Sequence, residues 1–177
     1  MELNATELKS FLDEKVQQYN TLAFINDDPI AIPHSFSKKE DIEIAAFFAA
    51  TIAWGNRKSI MTNARSLMKR MDSAPHDFIL NHTKDDLGVF DGFVHRTFQR
   101  EDLIFFVTRL QKLYKQFGEL ELLFTPKTEA VNMHAVLFKF HELFFAVPHP
   151  KRTTKHVANP AKKSAAKRLH MFLRWMV

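Results

Sequence analysis

The chain contains no cysteine. That excludes disulfides, a thiolate nucleophile, an iron–sulfur cluster and cysteine-ligated zinc. Glycine is scarce, with four residues in 177, and there are seven prolines. This is too little turn chemistry for an all-β fold, which needs a turn every few residues. No stretch reaches the roughly 18 unbroken apolar residues of a membrane-spanning helix. The opening Met1-Glu2-Leu3-Asn4 lacks the basic-then-apolar pattern of a secretory signal. A cytoplasmic protein with no membrane partner is expected. There is no glycine-rich phosphate loop, no Gly-x-Ser-x-Gly elbow and no cofactor fingerprint, so no cofactor is expected.

What the chain has is phenylalanine, 18 residues of it, within a composition that is 46% hydrophobic. Such a chain can bury one sizeable core. Charge is unevenly spread. Glu142 is the last acid, and eight of the 25 basic residues lie beyond it, whereas residues 1–142 carry 17 bases against all 20 acids. The net charge of +5 therefore belongs to the C-terminal segment, and a basic block of this kind fits a polyanion, nucleic acid before membrane.

Hydrophobic spacing is helical nearly throughout. Asn4 with Glu7 makes a capping pair ahead of Leu8, Phe11, Leu12, Val16 and Tyr19. Pro33 disfavours helix at Ile32, and Ser37 to Glu40 reads as a capping box. Asp41 to Ala53 is apolar on nearly every face, the mark of a central helix, and Gly55 is its stop. Asp41 and Glu43 are explained by the helix dipole. Further helices are predicted over 57–71, 75–81, 101–117 and about 128–145, with the last beginning near Ala161, while 83–98 mixes turn signals and aromatics. The sum is an all-α, compact orthogonal bundle of about seven helices. Residues 1–150 form the bundle, and 151–177 form a basic loop and hairpin helix that opens a C-terminal part expected to continue past Val177.

Chemistry concentrates in that last segment. A loop entering a helix points unpaired N–H groups outward at the positive end of the macrodipole. Around this start lie Lys162, Lys163, Ser164, Lys167 and Arg168, with Arg152 and Lys155 in the loop before it. These are the candidate nucleic-acid contacts, the Ser164 hydroxyl serving a phosphate. Lys167 is the candidate nucleophile. A neighbouring cation, Lys163 or Arg168, and partial burial would lower its pKa; contact with phosphate or water is the plainer role. The nine histidines include no His-Glu-x-x-His motif, and His134 with His141 would need further ligands, so no metal is expected.

Several short motifs occur in order: Ile32-Pro33-His34, Trp54-Gly55-Asn56-Arg57, His95-Arg96, His156 to Pro160, Ser164 to Leu169 and Phe172 to Val177. Together they resemble an uncharacterised bacterial family known as a domain of unknown function, over nearly the whole chain. More remotely, that family is similar to the helix-hairpin-helix DNA glycosylases. This resemblance implies a hairpin whose first glycine maps onto Lys163, with the attacking lysine at Lys167. Lys163 and Ala165 stand in the glycine positions, and the partner aspartate is expected beyond Val177. Asn56, Arg57, His95 and Arg96, at loop–helix junctions among aromatics, are candidates for a pocket reading a flipped base, and His34 completes that set. Their alternative role is capping helix ends. The expected function is a DNA-binding protein resembling a base-excision glycosylase and lyase, expected to be inactive as this chain, which lacks the partner aspartate. The alternatives are a nucleic-acid-binding domain without chemistry, or a helical protein-interaction domain.

Overall fold

The computed structural model describes residues 4–126, 128 and 132–177, and it is mainly helical. Its helices are α1 (Ala5–Tyr19), α2 (Leu22–Asn26), α3 (Lys39–Ile52), α4 (Arg57–Arg70), α5 (Pro75–Asn81), α6 (Arg100–Phe117), α7 (Glu121–Phe124), α8 (Met133–Phe144) and α9 (Lys167–Trp175). These are nine α-helices among the described residues, against about seven expected; the shortest, α2 and α7, were not anticipated. The unclear stretch before α6 holds a 3-10 turn, Asp86–Phe90, and a two-residue antiparallel hairpin of β1 (Val94–His95) and β2 (Phe98–Gln99).

The core is organised by α3. Every residue from Glu43 to Ile52 is buried, and α4, α5 and α9 pack against this helix. Its alanines (Ala45, Ala46, Ala49, Ala50) let those neighbours approach closely, while Phe47 supplies bulk. The Phe47 ring meets Phe106 of α6, Phe140 and Phe144 of α8 and Phe172 of α9, all at centroid distances of 5.7–5.9 Å. Aromatic pairs of this kind are worth about 0.5–1.5 kcal/mol each beyond the area they bury. Residues 151–177 are thus tied into the same core as the bundle.

Three local expectations are corrected. The capping box at Ser37 does not form, because α3 begins at Lys39 and Lys38 occupies the cap position with no side-chain bond. Ser37 stands one residue too early. Glu43 is not a dipole residue: it turns inward and accepts from the Tyr114 hydroxyl (2.8 Å) and the backbone N–H groups of Leu120 (2.9 Å) and Glu121 (3.1 Å). Ile32 takes right-handed α backbone despite the following Pro33, but it is a turn residue between two 3-10 segments, and Pro33 opens the second, where its missing N–H is not needed.

The Asn4–Glu7 capping box does form. No residue of α1 is buried, and Leu8, Phe11, Leu12, Val16 and Tyr19 are each 45–58% exposed. The predicted helix over 128–145 lies partly outside the described residues; its described part is α8. No helix among the described residues is long and apolar enough to cross a membrane.

Candidate nucleic-acid interface

The final helix starts later than expected. Pro160–Lys162 is a 3-10 turn, Lys163 and Ala166 both adopt left-handed backbone (φ 60° and 45°), and α9 begins only at Lys167. Two left-handed residues cannot continue a right-handed helix, which is why Ala161 does not start one. Lys163 has the conformation that glycine normally supplies. The Ser164 hydroxyl accepts from the Ala166 N–H (3.2 Å) and so braces the turn. Lys155, Lys162, Lys163 and Lys167 are exposed, and among the described residues none pairs with a carboxylate.

The two arginines predicted alongside these lysines do something else. Arg168 is half-buried; its guanidinium donates to the Thr51 carbonyl at the C-terminal end of α3 and to the Lys155 carbonyl (3.4 Å). A cation there completes carbonyls that α3 leaves unpaired and opposes the negative end of its dipole. Burial lowers the pKa of Arg168. Arg109 does the same for α8, donating to the carbonyls of Leu143 and Phe144. Arg152 donates to the Thr97 carbonyl (2.8 Å) and Gln99 Oε1 (2.9 Å) and pairs with Asp102 (3.2 Å). Both arginines hold the interface together from behind.

Asp102 is the anchor that sequence reasoning missed. It is fully buried at the start of α6, where it accepts from the Gln99 N–H (3.0 Å) and the Thr153 hydroxyl (2.7 Å). His156 Nε2 lies 3.5 Å from the same carboxylate without a hydrogen bond, and burial holds this histidine down to about 4, against the pull of Asp102. Asp102 therefore pins the basic loop, Lys151–His156, onto α6. The Gln99-x-x-Asp102 spacing of a capping box was the available signal.

Of the pocket candidates, Asn56 caps α4, accepting from the Ser59 N–H (3.2 Å), and Arg57 is exposed beside it. His95 is buried: its Nδ1 accepts from the Asn63 amide (2.8 Å) and its Nε2–H donates to the Trp54 carbonyl (3.3 Å). That pattern requires a neutral ring, and burial lowers its pKa accordingly. Arg96, left-handed at φ 54°, lays its guanidinium carbon 5.1 Å from the Trp54 ring centroid. Trp54, His95 and Arg96 thus meet.

A cavity of about 780 Å³ lies elsewhere and is lined mainly by apolar groups, including Phe36, Phe124, Phe172 and Trp175. His34 lies on its rim, at the C-terminal end of α9 rather than at its lysine-bearing start. His34 thus stands before the first turn of α3, whereas Asn56 and Arg57 follow its last. Capping and core packing hold most of those groups where they are.

A helical domain with a basic turn entering its last helix is the class these features define. Residues 28–177 match the family described as Protein of unknown function (DUF2400), and the chain belongs to that family. No curated protein and no solved structure gives a significant match.

Proposed function

We propose that this chain is a nucleic-acid-binding protein, with DNA the expected ligand, that contacts phosphates through Lys155, Lys162, Lys163 and Lys167. The observation carrying this reading is four exposed ammonium groups, none paired with a carboxylate among the described residues, within thirteen residues that contain no acid, around a turn braced by Ser164. Unpaired cations spaced along a rigid turn suit a polyanion, whose released counterions supply the driving force. A cytoplasmic setting belongs to the same proposal.

The test is fluorescence anisotropy with a labelled duplex across a salt series. Four phosphate contacts give a slope of log K against log salt of about −3.6 on B-DNA, and each lysine changed to glutamine removes about one unit. Salt-independent binding, or binding indifferent to all four changes, refutes the assignment and leaves a protein-interaction domain.

A lyase role for Lys167 is the second reading. It is favoured by the left-handed Lys163, at the position where the resemblance places a hairpin glycine. Against it, Lys167 is exposed rather than enclosed in a pocket. Borohydride trapping on abasic-site DNA tests it. A covalent adduct that survives Lys167→Ala excludes this lysine, as does the absence of any adduct.

A further inference from the structure

We propose that Arg96, backed by the indole of Trp54, is a stacking platform for an unpaired base of single-stranded nucleic acid whose backbone runs over the lysine face. This rests on the nucleic-acid reading above and adds to it the state of the strand that is bound.

Arg96 sits at the tip of the β1–β2 hairpin in left-handed backbone, φ 54°, a conformation that disfavours any residue but glycine, asparagine or aspartate. Its side chain folds back across Gly55 onto the Trp54 ring, the guanidinium carbon 5.1 Å from the ring centroid. Gly55, itself at φ +105°, makes room for it: a Cβ there would fall 3.0 Å from Arg96 Nη1 and 3.1 Å from its Cδ. From below, Trp54 is held by His95, whose ring meets it edge-on at 6.1 Å and whose Nε2–H donates to the Trp54 carbonyl. The platform is stiff on its protein side and exposed on the other. Among the described residues, no acceptor takes a hydrogen bond from the Arg96 guanidinium and no carboxylate pairs with it. A planar cation held on an aromatic ring with its donors free has the chemistry of a base-stacking surface.

Two bonds make this platform continuous with the lysine face. Arg152, from the basic loop, donates to the Thr97 carbonyl in the same hairpin tip (2.8 Å). Arg168, next to Lys167, donates to the Thr51 carbonyl, and Trp54 follows three residues later, within about 11 Å along the chain. These bonds bring the basic loop and the start of α9 close to the segments that carry the platform, and the proposal places lysines and platform along one strand path. A duplex can use the lysines but keeps its bases stacked on each other. A single strand can use both.

The measurement uses the full chain and two labelled single strands of equal length, one of thymidines and one of abasic tetrahydrofuran units that keep the phosphates. Arg96→Gly relaxes the left-handed strain, so it keeps the hairpin folded. Arg96→Lys retains the charge and loses the plane. Stacking worth about 1–3 kcal/mol per base corresponds to about 5- to 150-fold weaker binding of the thymidine strand in both variants. Binding of the abasic strand changes less than about threefold in Arg96→Lys. In a Trp175→Phe background, Trp54 emission is quenched by the thymidine strand and not by the abasic one. Equal weakening of both strands makes Arg96 a phosphate contact and overturns the platform while sparing the nucleic-acid reading. Binding of thymidine strand unchanged by either substitution overturns it too. No binding of either strand at low salt overturns both.

Discussion

Replacing Asp102 by alanine tests the architecture of the interface without touching any lysine. The carboxylate satisfies the Gln99 N–H and the buried Thr153 hydroxyl and pairs with Arg152. An orphaned N–H at a helix start costs about 1 kcal/mol. A buried hydroxyl left without its charged acceptor costs about 1–3 kcal/mol. The Arg152 pair adds under about 1 kcal/mol, because that side chain is 34% exposed and keeps its bonds to Thr97 and Gln99. The expected loss is about 2–5 kcal/mol, overlapping the range found when one partner of a buried pair is removed. Urea unfolding at neutral pH measures it, with the m-value checking that both chains unfold from equally compact states. Thr153→Val should lose less, since the remaining donors stay on the carboxylate. Changing both residues should cost less than the sum of the single changes, because each removes the same bond. A loss below about 1 kcal/mol for Asp102→Ala, or strict additivity, refutes the claim that Asp102 pins the basic loop.

Three further outcomes follow from buried polar groups. His95, His141 and His156 all have pKa values lowered chiefly by burial, His156 to about 4. The unfolded chain therefore binds protons below about pH 6.5 that the folded chain refuses, and stability falls toward pH 4 by up to about 1.4 kcal/mol per pH unit for each histidine; melting temperatures flat from pH 7 to 5 contradict this. Glu43→Gln should destabilise by about 1–3 kcal/mol, because an amide cannot accept from all three of the donors that meet Glu43; wild-type stability in chemical denaturation would be the contrary result. Arg168→Met should likewise cost about 1–3 kcal/mol by freeing the Thr51 carbonyl, and a purely salt-dependent binding defect with no stability loss would mean that Arg168 faces the ligand after all.

The helices bounded by strong punctuation were legible. Pro75 and Gly118 delimit α5 and α6 because they act on the backbone beside them. The hairpin at 94–99 and the four-residue α7 were not, since each depends on distant partners such as Arg152 and Glu43. The same division runs through the interface. The charges of Lys162, Lys163 and Lys167 were visible, and they remain exposed. Arg152 and Arg168 carry the same formal charge, yet they are spent on the Thr97 and Thr51 carbonyls, 55 and 117 residues away. Sequence spacing cannot reveal which cation finds an internal acceptor.

The first helix leads to a different kind of statement. Residues before 28 lie outside the family match, and α1 lends the core no buried side chain. Its helicity rests on the Asn4–Glu7 cap and short-range pairs such as Lys9–Asp13, and 15 residues is near the limit for an isolated helix in water. Helix α1 is therefore expected to be energetically autonomous: a synthetic peptide of residues 1–20 should reproduce its helix–coil balance in the intact chain, and removing those residues should leave the unfolding free energy of the domain unchanged.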